Sequence, residues 1–389
     1  MTSRLLYYNP NLIAASGNHG LADVELFSRL FAVIDRTVSL VDRTHTIRLP
    51  IAVHSLFPLP EPRPFTSTFE ELCDLRAAEL LRRADELGAT LFVFWSGGID
   101  STLALVSLLK HATSAQAANM VILLSQESIN EYPKFYREHI LGKLRVDSAV
   151  MFPSLLGGHH LVVNGEHNDQ LFGSDMVGKL IVRFGEPVMH QPYSRDTFFL
   201  FFDEHVHDRE TTNFYLDEFE RLAAAAPVSI ATNFQFLWWI NFSMKWQSVF
   251  IRTLSYVPPR RAARITRDYI ETNYAPFYCT EDFQRWSLAN LDSKIKATWR
   301  TYKWPCKDII YRFTKDADYR DNKIKRGSLY NLLLQQPSYN FIDEAMNFRR
   351  EIDIRDYYQP DNSFAPAERI AVGKRPTALP LREELAVAQ

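Results

Sequence analysis

The segment Phe94-Trp95-Ser96-Gly97-Gly98-Ile99-Asp100-Ser101-Thr102 decides the fold, because it joins an apolar run to a helical segment through two adjacent glycines. The run at residues 91–95 predicts a buried strand, and residues 101–111 predict a helix. Glycine has no Cβ, so backbone N–H groups at such a turn can close on phosphate oxygens beside the positive end of the helix dipole. The turn therefore predicts a phosphate-binding loop whose donors come from Ser96, Gly97, Gly98, Ser101 and Thr102.

Asp100 stands at the start of the predicted helix, where a carboxylate would repel a bare phosphate. The position makes most sense as a ligand of magnesium, a cation that prefers oxygen donors. No lysine follows the two glycines, which distinguishes this loop from a Walker-type phosphate loop.

The pattern around this loop predicts an α/β fold with a parallel sheet flanked by helices. Apolar runs at residues 120–124, 149–152 and 161–163 predict further buried strands, and residues 133–144 predict a helix between two of them. Strands that are apolar on both faces and joined through helices are typical of a parallel sheet covered on both sides. The loop thus lies in a nucleotide-binding type of architecture.

The rest of the chain divides by composition. Residues 1–65 predict a small α+β unit, with a helix at 21–34, a strand pair at 38–49 and a proline-rich linker after it. Residues 66–358 predict the main domain, with an α/β nucleotide-binding part at 66–190 and a mainly helical part at 191–358. Residues 359–389 predict an extended tail.

A second acidic motif, Gly165-Glu166-His167-Asn168-Asp169-Gln170-Leu171-Phe172-Gly173, follows the predicted strand that ends near residue 164. Glu166 and Asp169 are three residues apart, so they lie on one side of a helical turn. The motif predicts an acidic site about seventy residues beyond the first loop.

Together, the two motifs resemble those of a known superfamily. SGGxDS after a strand resembles the pyrophosphate loop (PP-loop) of the ATP pyrophosphatases, which cleave ATP between the α- and β-phosphates. The second motif resembles the GExxDExFGG segment of asparagine synthetases and β-lactam synthetases. The resemblance covers roughly residues 67–335, and it implies an adenine nucleotide alpha hydrolase-like fold with ATP and Mg²⁺ as cofactors.

The resemblance also assigns roles to residues. It implies that Asp169 holds magnesium together with Asp100, that Gly165 allows close approach of an acyl-adenylate, and that Glu166 assists attack by an amine. Leu124, at the end of its predicted strand, joins the nucleotide-binding residues. Two positions depart from the family: Gln170 replaces an acid, and the motif ends in Gly-Ser-Asp rather than Gly-Gly-Tyr.

A basic segment completes the resemblance. Residues 292–326 contain eleven Lys or Arg against five Asp, a balance of +6. Within it, residues 323–327 resemble the RPKKG loop of the family, which implies that Lys325 is the catalytic lysine; a shift of two positions would give Lys323 instead. Most of the other basic side chains are expected on a solvated helix face.

Composition limits the classes of partner. A net charge of −2 gives no global attraction to nucleic acid or membranes, and three widely spaced cysteines indicate neither a zinc site nor a disulfide framework. The apolar stretch at residues 234–256 carries polar and charged residues, so it predicts a buried helix rather than a membrane span. We expect a cytoplasmic protein without a secretory signal or a membrane partner.

The resemblance implies an AMP-forming carbon–nitrogen ligase that adenylates a small carboxylate and transfers the acyl group to an amine. The chain starts Met1-Thr2, whereas the family's glutaminase domain begins with a cysteine after the methionine, so we expect no glutaminase activity of its own. Two alternatives stay open at this point. The basic segment permits a nucleic acid acceptor in a PP-loop enzyme that modifies a nucleobase, and the changes at Gln170 permit a nucleotide-binding protein without turnover.

Overall fold

A five-stranded, all-parallel sheet lies at the centre of the molecule. The computed structural model describes residues 4–10, 20–34, 39–324, 339–362 and 364. The central strands are β2 (Thr90–Phe94), β3 (Met120–Leu124), β4 (Arg145–Ser148), β5 (His160–Asn164) and β6 (Tyr274–Pro276), in the spatial order β4-β3-β2-β5-β6. The predicted α/β class with a parallel sheet flanked by helices is therefore confirmed.

Alternation along the strands distributes side chains between two cores. Leu91 and Val93 of β2 join one buried cluster, whereas Phe92 between them joins the other. Strand β5 divides in the same way, since successive side chains of a strand point to opposite faces. Apolar burial on both faces is the condition that a covered parallel sheet requires.

Helices cover the sheet and form most of the second half of the chain. Within the described residues they are α1 (Ala22–Ile34), α2 (Phe69–Glu86), α3 (Ile99–His111), α4 (Ser114–Ala118), α5 (Gln126–Glu131), α6 (Pro133–Phe135), α7 (Phe152–Leu155), α8 (Asn168–Phe172), α9 (Asp175–Phe184), α10 (Arg195–Val206), α11 (Arg209–Ala224), α12 (Asn233–Met244), α13 (Trp246–Arg252), α14 (Pro259–Ala262), α15 (Arg267–Thr272), α16 (Glu281–Ala289), α17 (Trp304–Thr314) and α18 (Ala317–Asn322). The helical part also supplies β6, so it completes the sheet rather than forming a separate layer.

The strand order creates a switch point between β2 and β5. The chain leaves β2 towards β3 and β4 on one side, and it continues from β5 to β6 on the other. In open parallel sheets, the crevice beyond the carboxyl ends of two such strands is the usual place for a ligand. Both sequence motifs begin at these carboxyl ends.

The N-terminal residues share a sheet with residues far along the chain. Strand β1 (Leu5–Tyr8) pairs antiparallel with β7 (Phe341–Asp343), which pairs with β8 (Phe348–Arg349). The unit predicted at residues 1–65 is thus joined to the C-terminal part through backbone hydrogen bonds. The strand pair predicted at 38–49 is wrong for its described part, residues 39–49, because Asp42 accepts the N–H groups of Thr44, Thr46 and Ile47 in a compact loop.

Two further predictions need correction. The strand predicted at residues 149–152 lies earlier, at β4, and residues 149–155 form helical turns instead. All four residues of β4 are exposed, so its polar sequence carries no apolar run. The single helix predicted at 133–144 ends earlier: α6 continues into a π-helix at Tyr136–Ile140.

Residues 234–256 are helical and buried, as predicted, in α12, α13 and a 3₁₀ turn at Thr253–Tyr256. Over the described ranges, no helix has the length and apolar content that a bilayer span requires. The predicted tail begins in packed structure, since Gln359 donates to the Pro50 carbonyl and Phe364 is buried against Phe27 and Phe214. Residues 365–389 lie outside the described residues.

We expect Gly165→Ala to lower the free energy of unfolding by about 1–3 kcal/mol, because an added Cβ would lie 2.8 Å from the backbone nitrogen of Ser101 and force β5 away from α3. Urea denaturation measures the change. Gly178→Ala is the control: its Cβ would meet nothing closer than 3.7 Å, and alanine favours the helix. Equal effects of the two substitutions would contradict the close approach.

Candidate functional site

The first loop closes tightly around its glycines. Gly97 has a φ of +73°, and a Cβ there would meet the Ser128 carbonyl oxygen and lie 2.8 Å from Glu131 Cβ. Only glycine accommodates both this backbone angle and this contact. Gly98 precedes α3 in extended conformation, so the loop leads directly into the helix N-terminus.

The hydroxyl groups of the loop divide between the turn and the core. The Ser96 backbone N–H donates to Ser101 Oγ at 2.9 Å, and the two serine hydroxyls are 2.8 Å apart, so they brace the turn. Thr102 is fully buried, and its Oγ1 accepts the Trp95 indole N–H at 3.0 Å. The Thr102 side chain is therefore directed to the core, which the sequence alone did not indicate.

The second motif packs directly on the start of α3. Gly165 follows β5, and its backbone passes so close to Asp100 and Ser101 that a side chain would overlap them. Asn164 Oδ1 accepts the Glu166 N–H at 3.1 Å, which holds the backbone as it leaves the strand. The two motifs, predicted separately, therefore come into contact at the switch point, where the crevice of such a sheet lies.

Asp100 and Asp169 meet at one ammonium group. Lys303 Nζ lies 2.6 and 2.7 Å from the two carboxylate oxygens of Asp100 and 2.5 Å from Asp169 Oδ1. Asn168 Nδ2 adds a 2.6 Å hydrogen bond to Asp100. The Lys303 side chain is fully buried, whereas the carboxylates retain about a quarter of their exposure. The predicted convergence of the two aspartates is thus found, with a cation between them.

Lys303 is a residue of the candidate site that the sequence analysis missed. It has a φ of +57° and precedes α17, which packs against α3 and directs the side chain into the crevice. The available signal was its place among the eleven basic residues of 292–326. Three of these, Lys294, Lys303 and Lys307, are buried rather than solvated. These three depart from the expected solvated face, whereas the other six described basic residues of the segment are exposed or half-buried.

The other two buried lysines hold the backbone around the crevice. Lys294 donates to the carbonyls of Leu171 and Ser287, and burial lowers the pKa of its ammonium. Lys307 donates to the carbonyls of Arg300 and Lys323, and burial lowers its pKa to about 8. Carbonyl oxygens around an ammonium replace part of its lost hydration.

Lys323 lies beside the first loop. It pairs with Glu131, whose side chain contacts the Gly97 position, and the hydroxyl of Tyr319 donates to the Gly97 carbonyl at 3.3 Å. Lys325 lies outside the described residues, so its catalytic role stays a prediction. Lys323, two positions earlier and the alternative that a shifted alignment gives, lies beside the first loop and pairs with Glu131.

Glu166 has a basic partner that the sequence did not reveal. Arg252 Nη2 lies 3.4 Å from Glu166 Oε2, and the two side chains are 11% and 25% exposed. Arg252 is the last residue of α13, and the carbonyl of Trp246, at the start of that helix, lies 3.1 Å from His167 Nε2 of the second motif. The guanidinium and the carboxylate attract one another across this contact.

The Gln170 side chain bonds to Asn241 in the core. It is buried, and its amide donates to Asn241 Oδ1 at 3.3 Å; Asn241 in turn donates to the Asp169 carbonyl at 3.1 Å. A carboxylate at position 170 would be buried beside the Asn241 Oδ1 oxygen, and burying that charge costs desolvation energy. The substitution therefore alters the support of the motif and removes no side chain from the crevice.

The carboxylates suit a small divalent cation. Magnesium usually binds one or two carboxylates together with phosphate oxygens and water, and Asp100 and Asp169 already direct oxygens at one point. No group of three or more His, Cys, Asp or Glu side chains suited to a metal occurs in the part of the chain that the structure describes. A magnesium ion here would depend on nucleotide for its remaining ligands, and the Lys303 ammonium would have to yield its position.

Leu124 ends β3 beside the same crevice. Its neighbour Leu123 pairs with Phe94 of β2, so Leu124 lies at the carboxyl edge of the sheet. Its contact with a nucleotide stays a prediction.

No protein-family model matches the sequence, and no curated protein sequence matches it significantly. The candidate site is thus defined by its two motifs and its geometry.

We expect Lys303→Met to lower the free energy of unfolding by about 1–3 kcal/mol, since the two partly exposed carboxylates lose the ammonium between them. The variant should gain a Mn²⁺ site in the absence of nucleotide, because a divalent cation can replace the lost charge. Electron paramagnetic resonance of free Mn²⁺ and denaturation with and without metal measure both effects.

Lys296→Met, at an exposed lysine of the same segment, is the matched control and should gain no Mn²⁺ site. Adding Asp169→Asn to Lys303→Met should abolish the new site. Mn²⁺ binding of equal affinity in wild type and Lys303→Met would contradict the placement of the ammonium at the cation position.

Proposed function

We propose that this protein is an AMP-forming carbon–nitrogen ligase of the asparagine synthetase-like group of ATP pyrophosphatases. One observation carries the proposal: the glycine loop that begins α3 and the acidic motif after β5 form a single crevice with Asp100, Asp169 and Lys303 at its centre. A phosphate-binding turn, two metal-seeking carboxylates and a buried ammonium are the groups that binding of a magnesium–triphosphate requires.

In the first proposed step, a substrate carboxylate oxygen attacks the α-phosphorus of ATP, and pyrophosphate leaves. The backbone N–H groups at Gly97 and Gly98 and the hydroxyls of Ser96 and Ser101 bind the leaving pyrophosphate. Asp100 and Asp169 would hold magnesium, which neutralises phosphate charge when bound. Lys303 and Lys323 supply further positive charge at the same end, with Lys325 proposed from the resemblance.

In the second proposed step, an amine attacks the acyl carbon and AMP leaves. Glu166 lies just beyond the carboxyl end of β5, and as a carboxylate it can accept a proton from the attacking nitrogen. The Arg252 guanidinium, 3.4 Å away, would orient that carboxylate. The two steps therefore use different side chains, one set at the first loop and one at the second motif.

The nucleobase-modifying alternative has less support. It rests on the basic segment at residues 292–326 as a phosphate-binding surface. Lys294, Lys303 and Lys307 are buried and bind groups within the protein, which leaves fewer charges for a polyanion. Binding of tRNA or single-stranded DNA that falls steeply with salt would favour that alternative.

We expect ATP–pyrophosphate exchange that depends on one acid from a broad panel of small carboxylic acids. Gly97→Val should reduce the exchange by about 100-fold or more, since the branched side chain fits neither the φ of +73° nor the contact with Ser128. Gly178→Ala in α9, where the added Cβ would meet nothing closer than 3.7 Å, serves as the control. Tight ATP binding with no exchange for any acid would favour the nucleotide-binding protein without turnover.

We expect Glu166→Gln to separate the two steps. The amide keeps the shape of the side chain but cannot accept the amine proton, so amide formation should fall by roughly 10²–10⁴-fold while exchange is largely retained. Product analysis with the active acid and a series of amines measures the first quantity. Glu61→Gln, in the proline-rich linker, is the control, and an equal loss of both activities in Glu166→Gln would contradict the assignment.

A further inference from the structure

The two edges of the central sheet differ in their surroundings. At one edge, all three residues of β6 are buried by the helical part of the chain. At the other edge, all four residues of β4 are exposed, and no described strand pairs with its outer side. A strand at such an edge presents backbone N–H and C=O groups to another chain.

Exposed apolar side chains are concentrated around this edge. Half of the eight large hydrophobic side chains that are exposed in the described residues fall within eleven consecutive positions: Leu141 (55%), Val146 (49%), Val150 (50%) and Met151 (43%). Single exposed apolar residues are ordinary, but a cluster beside an open strand edge indicates a surface that another molecule covers.

The sequence of β4 is complementary to itself. Arg145-Val146-Asp147 reads as positive, apolar and negative, so two copies paired antiparallel about Val146 place Arg145 of one opposite Asp147 of the other, twice. Val146 then faces its own counterpart. Residues directly opposite in an antiparallel pair have side chains on the same face, where opposite charges attract.

The flanking residues follow the same symmetry. Pairing about Val146 brings the segment before one strand beside the segment after the other, so Leu141 of one copy lies near the Met151 region of its partner. Such a two-fold contact buries the same patch on both copies. The charges of β4 and the apolar residues on either side of it therefore both fit a second copy of this chain as the partner.

From these observations we propose that β4 is a self-association surface, through which two copies of this chain join their sheets by antiparallel pairing of β4. The joined sheet would contain ten strands. The partner is a second copy rather than an unrelated protein, because the charge order of β4 is complementary to its own reverse: Arg145 of each copy lies opposite Asp147 of the other.

Charged residues on edge strands can also prevent association, but prevention requires a different arrangement of charges. Protective charges repel an approaching copy, as a row of lysines does. In β4 the charges attract when two copies pair in register. Asp147 Oδ1 accepts the Ser148 N–H at 2.7 Å, which holds the carboxylate beside the strand, where the partner's Arg145 would reach it.

The proposed contact leaves the candidate site open. Strand β4 is separated from β2 by β3, and strands of a sheet are about 4.8 Å apart, so the glycine loop lies roughly 10 Å inward from the edge. Association through β4 therefore requires neither nucleotide nor catalysis, and its test is independent of the proposed ligase activity.

Charge exchange tests the proposal on the full-length protein. Sedimentation velocity over a range of concentrations should detect a wild-type dimer. Arg145→Asp and Asp147→Arg should each raise the dimer dissociation constant by roughly tenfold or more, because each places like charges opposite one another at two symmetric positions. The double variant Arg145→Asp with Asp147→Arg restores both pairs in reverse order and should return the dissociation constant close to that of wild type.

Arg63→Asp, an exposed charge reversal in the linker, should leave association unchanged. Circular dichroism of each variant verifies the fold, which exposed substitutions at an edge strand should preserve. The proposal is overturned by a wild-type protein that stays monomeric throughout, by a dimer that neither single reversal weakens, or by a double variant that stays as dissociated as the single ones.

Discussion

The contact of the Lys303 ammonium with the carboxylates of Asp100 and Asp169 ties the candidate site together. The three residues come from the first turn of α3, from the first turn of α8 and from the position before α17, so one buried charge fixes three distant segments. A fully buried ammonium is tolerated only where oxygens replace its hydration, and the two aspartates supply them. Lys294 and Lys307 hold the backbone around it, because their ammonium groups donate hydrogen bonds to backbone carbonyls.

Close backbone approach is the second constraint. Gly165 passes the start of α3 at a distance that excludes any side chain, and Gly97 turns with a positive φ against the Ser128 segment. These contacts bring the carboxyl ends of β2 and β5 together at the switch point of the sheet, where helix dipole and backbone N–H groups favour an anion. The fold and the geometry proposed for phosphate binding therefore follow from the same strand order.

The charges of the crevice suit the two steps proposed for it. Positive groups collect at the first loop, where pyrophosphate would leave, and the Glu166–Arg252 pair lies at the second motif, where an amine would lose a proton. Gln170, although it departs from the resembling family, faces the core beside Asn241 and leaves this division intact. The exposed edge at β4 lies apart from the crevice, so the proposed association and the proposed chemistry would use different parts of one sheet.

The sequence by itself determined the apolar strands, the glycine loop, its helix and the acidic motif, because local spacing and the lack of a Cβ carry that information. The resemblance to the ATP pyrophosphatases implied that Asp100 and Asp169 would meet, and the structure places both just beyond the carboxyl ends of neighbouring parallel strands. The sequence analysis missed β4, whose exposed residues form no apolar run, and it misread residues 39–49, where Asp42 replaces strand pairing with side-chain hydrogen bonds. Only the tertiary structure decided that Lys303 reaches the aspartates, that Arg252 reaches Glu166 and that Thr102 turns to Trp95, because burial and contact between distant segments depend on how the helices pack and leave no local pattern.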